Sequence, residues 1–178
     1  STPLAPPQAP AGYALRAWRP EDVDAMARLF LRLRKDPLEM VVWPELSNLD
    51  DVRQQFDAMI HGKGRMAWAL TAGAAPALVG YILARRLSSG DGRIGEVGVA
   101  PEHQGRGLGR LLVSTAVAAL ADAPAVWLTV SSSNASALHL YRSLGFETTQ
   151  TQSVFVWMAS LAASAERSVA ENDPMTQE

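Results

Sequence analysis

The chain has no cysteine among its 178 residues, which excludes disulfides, thiolate-bound metals and a cysteine nucleophile. Histidine is scarce as well. His61, His103 and His139 stand at no spacing from carboxylates that suggests a metal site. No apolar run approaches a membrane span, and the first residues lack the apolar core of a signal peptide, so a cytoplasmic location is expected. Charge of either sign is not in excess: 16 Lys and Arg against 18 Asp and Glu give a net charge of −2. Neither nucleic acid nor an anionic membrane is therefore expected as a partner. Two phosphate-binding signatures are missing too. No Lys follows a glycine in the manner of Gly-x-x-x-x-Gly-Lys-Ser/Thr, and a Gly-x-Gly-x-x-Gly pattern begun at Gly105 and Gly107 meets Arg110 where its third glycine belongs.

What is present is concentrated in one stretch. Val97-Gly98-Val99-Ala100-Pro101 reads as the end of a strand. A glycine-rich turn runs from Gln104 to Gly109, and an apolar helical pattern starts at once. A strand, a glycine turn and a helix N-terminus together make an anion site, because unpaired backbone N–H groups converge there. Downstream, Val126-Trp127-Leu128-Thr129-Val130 reads as a short buried strand. Asn134 then stands at an N-cap position, the helical pattern runs through Leu138, Tyr141 and Leu144, and Gly145 closes it in left-handed conformation.

Gln104-x-x-Gly107-x-Gly109 after that strand, followed by Asn134…Ala137-Leu138-x-Leu140-Tyr141-x-x-Leu144-Gly145-Phe146, resembles the GNAT superfamily of N-acyltransferases. The resemblance implies an α/β (α+β) GNAT fold: a mixed central sheet splayed between strands four and five and flanked by helices. The rest of the chain fits that order. Residues 1–10 read as a disordered tail, 11–159 as a single domain and 160–178 as a polar tail. Tyr13 to Trp18 reads as a first strand. Val23, Met26, Ala27, Phe30 and Leu33 keep helical spacing, as do Leu49, Val52, Phe56, Met59 and Ile60. Met66 to Thr71 and Leu78 to Ala84 form a hairpin pattern, Arg93 to Val99 a fourth strand, and residues 147–158 two final strands ending with Val154 to Met158.

The resemblance also implies a mechanism: transfer of an acetyl group from acetyl-CoA, as co-substrate, to a primary amine of a small molecule or peptide by direct attack. The pantetheine arm would lie along Val97, Gly98 and Val99. Gln104, Gly105, Arg106, Gly107, Leu108, Gly109 and Arg110 would wrap the pyrophosphate, and Asn134 would bond the pantetheine amides. Tyr141 is the candidate general acid, since a phenol is protonated at neutral pH. Glu96 is the candidate base, and strand alternation places it with Gly98 on one face, Val97 and Val99 on the other. His103 reads as a loop residue or phosphate contact, His61 and His139 as surface residues. Glu39, Trp43 and Glu45 would, if brought together, make an aromatic and acidic patch suited to a cationic amine. No metal is expected, and a homodimer is compatible with such a fold. The alternative function is a non-catalytic acyl-CoA-binding sensor.

Overall fold

The computed structural model describes residues 8–34, 46 and 48–153. The chain divides into two compact units, residues 1–147 and 148–178. In the second, the described residues 148–153 form neither helix nor strand.

Strand β1 (Tyr13–Ala17) ends before Arg19, and Pro20 opens a short 3-10 turn, Pro20–Asp22, that leads into α1 (Val23–Leu33). Proline suits that first position because its missing N–H would have no helical partner there. Helix α1 buries Met26, Ala27, Leu29 and Phe30 along one stripe. Helix α2 (Leu49–Ile60) starts at Asn48, whose side chain accepts from the Asp51 N–H at 2.9 Å, and buries Val52 and Phe56. Strands β2 (Arg65–Ala72) and β3 (Ala77–Arg86) form a hairpin about Gly73, and β4 (Gly92–Val99) follows. A crossover through α3 (Leu108–Ala119) brings in β5 (Val126–Trp127), and α4 (Ala135–Ser143) comes last.

The sheet order is β1-β2-β3-β4-β5, antiparallel through β4 and parallel between β4 and β5. The parallel pair needs a helical crossover, which α3 supplies. On one face of the sheet, edge-to-face aromatic contacts join Phe30 of α1, Phe56 of α2 and Tyr81 of β3, with centroids 5.5 and 5.4 Å apart. On the other face α3 packs, with Leu112 against the backbone at Gly80 and, just past the helix, Leu120 against Gly92. Between Leu83 and Ala84 the register on β4 jumps from Glu96 to Ile94, so Gly95 is the extra residue of a β-bulge. A bulge bends its strand and re-aims the side chains beyond it.

Two expectations are corrected. The fifth strand, read over Val126 to Val130, pairs only at Val126 and Trp127. Leu128 and Val130 still pack partly buried against the core, which is what their apolar character demands, but character does not supply a pairing partner. The first of the two closing strands does not form over 147–153, where the threonines have strand propensity but no ladder. Val154 to Met158 lies outside the described residues.

The entry to α1 depends on a buried carboxylate. Asp22, 6% exposed, accepts from both terminal nitrogens of Arg16 at 2.6 and 2.8 Å and from the Arg19 N–H at 2.8 Å. Burial alone would raise the Asp22 pKa, yet the hydrogen bonds and charges of Arg16 and Arg19 prevail and hold it below its ordinary value of 3.8. Such a group contributes stability fully above the unfolded pKa, and that contribution is lost as pH falls through the lower folded value. Asp22→Ala is therefore expected to cost about 2–3 kcal/mol in urea unfolding at pH 7. The difference from the parent should shrink below the ordinary carboxylate range.

Candidate active site

The site is built where β4 parts from β5. Their registered pairs are Gly92 with Val126 and Arg93 with Trp127, and no pair follows. From Ile94 to Val99, β4 is laddered to β3 on one side, and among the described residues no strand pairs with it on the other. A strand edge of this kind presents backbone donors and acceptors to whatever lies beside it. The splay inferred between strands four and five is thus present, and the brevity of β5 is its direct expression. Gly98 is held by close packing: a Cβ there would stand 2.7 Å from Leu33 Cδ1 and 2.8 Å from the Tyr81 ring.

Beyond β4 the chain turns through Pro101–His103 and reaches the glycine loop. The Gln104 side-chain amide donates to the Val99 carbonyl at 2.9 Å, tying the loop to the end of the strand. Gly105 and Gly107 have φ of +74° and +76°, a region costly for any residue with a Cβ. A Cβ added at either would meet no atom within 4 Å, so the space over both is open. Gly107 is the N-cap of α3, no side chain caps it, and the first helical bond runs from the Leu111 N–H to the Gly107 carbonyl. The preceding N–H groups at Leu108, Gly109 and Arg110 open the helix at its positive end. Gly109 has a packing role as well, with a Cβ there 3.2 Å from Leu140 Cδ2 of α4.

The two arginines of the loop are both engaged within the protein. Arg106 Nη1 donates to the Tyr13 hydroxyl at 2.9 Å and Nη2 to the Glu102 carbonyl at 3.3 Å. Arg110 Nη2 donates to Ser143 Oγ at 2.6 Å, a bridge from α3 to α4. His103 is a loop residue whose Nδ1 lies 3.0 Å from the Tyr13 hydroxyl. No local spacing marks Tyr13 as part of this loop; only the folded sheet brings it there.

Asn134 caps α4, its Oδ1 accepting from the Ala137 N–H at 3.1 Å, and Gly145 ends the helix with φ +87°. Tyr141 is the buried residue of that helix, its ring edge-on to Phe146 at 5.8 Å. Burial raises the Tyr141 pKa above 10, and the charge of Glu96 raises it further. Tyr81, fully buried on β3, is pushed well above 10 by the same two causes in the same order. The register places Glu96 opposite Leu83 and Gly98 opposite Tyr81. Opposed residues share a face, so Glu96 and Gly98 lie on the α1/α2 side and Val97 with Val99 on the α3 side. Burial first and the charge of Glu96 second thus keep both phenols protonated.

His61 sits exposed at the end of α2, its Nδ1 3.0 Å from the Asp57 carbonyl, and His139 is exposed on α4. Glu39, Trp43 and Glu45 lie outside the described residues. Among the described residues, no group of three or more His, Cys, Asp or Glu could hold a metal ion, and no helix is long and apolar enough to cross a membrane.

An open strand edge leading into an uncapped, glycine-led helix N-terminus offers adjoining backbone donors and acceptors of the kind that suit an elongated ligand with an anionic end. Residues 27–146 match the Acetyltransferase (GNAT) family, and the chain belongs to that family. It is 35% identical over 155 residues to a mycothiol acetyltransferase of Thermobispora bispora, across 82% of this chain and 50% of that protein. The chain spans about half the length of the curated relatives that it matches along most of its own length. Among solved structures, the ribosomal-protein-S18-alanine N-acetyltransferase of Escherichia coli superposes with a TM-score of 0.65 at 21% identity, over 83% of this chain and 86% of that one. AAC(6′)-Iy, solved with the bisubstrate analogue CoA-S-monomethyl-acetylneamine, superposes with a TM-score of 0.61 at 13% identity, over 83% and 99%. These two likenesses show the fold.

The open space over Gly107 makes a comparison of two substitutions informative. Both Gly107→Ala and Gly107→Arg carry the left-handed strain, about 1–2 kcal/mol. Only the arginine fills the space over the loop, so it alone is expected to weaken acetyl-CoA binding, by about an order of magnitude or more beyond the alanine. Calorimetric titration of the two variants reads this directly; equal affinities would remove the loop from the site.

Proposed function

We propose that this chain is an acetyl-CoA-dependent N-acetyltransferase acting on a primary amine of a small molecule or peptide. The observation that carries the reading is the continuity of the open β4 edge with the uncapped N-terminus of α3. Together they offer backbone partners to an amide-bearing arm and then to a pyrophosphate. Val97, Gly98 and Val99 line the arm; Gln104 anchors the loop; the N–H groups from Gly105 to Arg110 receive the phosphates with Arg106 and Arg110 beside them. The Asn134 side-chain amide nitrogen is left to donate once its oxygen has capped α4. Mycothiol acetyltransferase, the name carried by the relative from Thermobispora bispora, supports a small-molecule acceptor.

Acetyl-CoA supplies an activated thioester carbonyl. Three groups of this chain fit what direct attack by an amine requires. A backbone N–H of the open edge near Val97 polarises the carbonyl, as a preorganised donor at a developing oxyanion. Glu96 takes the proton that the amine must lose, directly or through a water. Tyr141 returns a proton to the departing sulfur, and its raised pKa keeps that proton available through the whole neutral range.

The reading is tested by titrating acetyl-CoA calorimetrically and then following release of free CoA thiol with a panel of amines, in a protein that adds no cysteine thiol background. Binding with no turnover on any amine would favour the sensor. Tyr141→Phe is expected to lower turnover by about a hundredfold or more while leaving acetyl-CoA affinity within twofold. Because the Tyr141 pKa is raised, the parent should keep its activity to a more alkaline pH than a phenol of ordinary pKa would allow. Glu96→Gln should remove the acidic limb of the pH–rate profile, and an unchanged limb would assign the proton to another group.

A further inference from the structure

We propose that Tyr13, on the first strand, is a positioning residue for donor binding: its hydroxyl holds the Arg106 guanidinium in place for the pyrophosphate. The inference rests on the donor-site reading above. Tyr13 and Arg106 are 93 residues apart in sequence, and the contact crosses from β1 to the loop that opens α3. The Tyr13 oxygen accepts from Arg106 Nη1 at 2.9 Å and lies 3.0 Å from His103 Nδ1. A hydroxyl that accepts from a guanidinium retains its own proton, and Nδ1 is the acceptor within reach. The Tyr13 ring also stands edge-on to the His103 ring, centroids 5.7 Å apart at 87°.

These contacts fix the guanidinium from two directions, since Nη2 is held by the Glu102 carbonyl at 3.3 Å. A guanidinium has five N–H donors, and two are used here, which leaves three for a phosphate. An exposed arginine otherwise samples many rotamers, and ordering it on binding weakens the complex. Tyr13 places that ordering in the free protein. The sheet does not need the hydroxyl: Tyr13 pairs with Ala72 through its backbone, and its ring packs partly buried against the core. The neighbouring turn is tied separately by the ion pair of Arg32 with Glu102 at 2.9 Å.

The test compares the full chain with Tyr13→Phe, Arg106→Ala and the double variant, titrated with acetyl-CoA, coenzyme A and 3′-dephospho-coenzyme A. Tyr13→Phe keeps the ring and removes only the hydroxyl. It should weaken acetyl-CoA binding about three- to tenfold with an unchanged melting temperature. The same ratio should appear with dephospho-coenzyme A, because the pyrophosphate is the target. The double variant should bind no more weakly than Arg106→Ala alone, since Tyr13 acts through that side chain. Unaltered or tighter binding by Tyr13→Phe, wild-type affinity in Arg106→Ala, losses that multiply in the double variant, or a matching fall in melting temperature would each overturn the proposal. An effect that vanishes with dephospho-coenzyme A would move Arg106 to the 3′-phosphate and overturn it as stated. If the parent itself binds no acetyl-CoA at millimolar concentration, the donor-site reading and this inference fall together. If the parent binds and Tyr13→Phe is indifferent, only the inference falls.

Discussion

Backbone amides that leave water need partners, and the proposed site rests on two sets of them that the described fold leaves unpaired. One set is the edge of β4 beyond Arg93, where β5 has parted from it. The other is the first turn of α3, headed by a glycine with no side chain to cap it. They adjoin through residues 100–107, so a ligand that satisfies one is led to the other. A longer β5 pairing would close the first set, and a Ser or Asp cap at position 107 would spend part of the second.

The surrounding core holds this opening in shape. The aromatic contacts from Phe30 through Phe56 to Tyr81 fasten both N-terminal helices to the sheet, and Tyr81 in turn lies against Gly98. The strand carrying the open edge is therefore backed by these aromatic contacts. The bulge at Gly95 sits just before Glu96, in the segment that has lost its β5 partner. Burial raises the pKa of Tyr81 and Tyr141, and the charge of Glu96 adds to the rise in both. Rigid strands and helices, rather than mobile loops, place the candidate acid and base.

Much of this was legible in the sequence. Helical spacing located α1 and α2 because their buried stripes repeat every three to four residues. Gly145 announced a left-handed helix end and has the positive φ expected of it, and the tight turn read at Gly105 and Gly107 is made with positive φ as well. Asn134 caps its helix as its position before an apolar run suggested. The misreadings share one cause. Leu128 to Val130 and residues 147–153 have strand-like composition, but a strand is a relation between two chains of atoms, and its partner is not encoded locally. Gly109 was read with the ligand loop, whereas its lack of a side chain also serves the approach of Leu140.

Local chemistry alone therefore determined the elements, their order, the glycine turn and the identity of the ionisable residues near it. These follow from periodicity, capping and backbone sterics, which act over a few residues. Only the tertiary structure decided where β4 and β5 part, that Glu96 shares a sheet face with Tyr81, and that Tyr13 reaches across 93 residues to Arg106. Those are contacts of distant segments, set by how the sheet twists and which faces the helices cover. No short-range pattern in the chain carries that information.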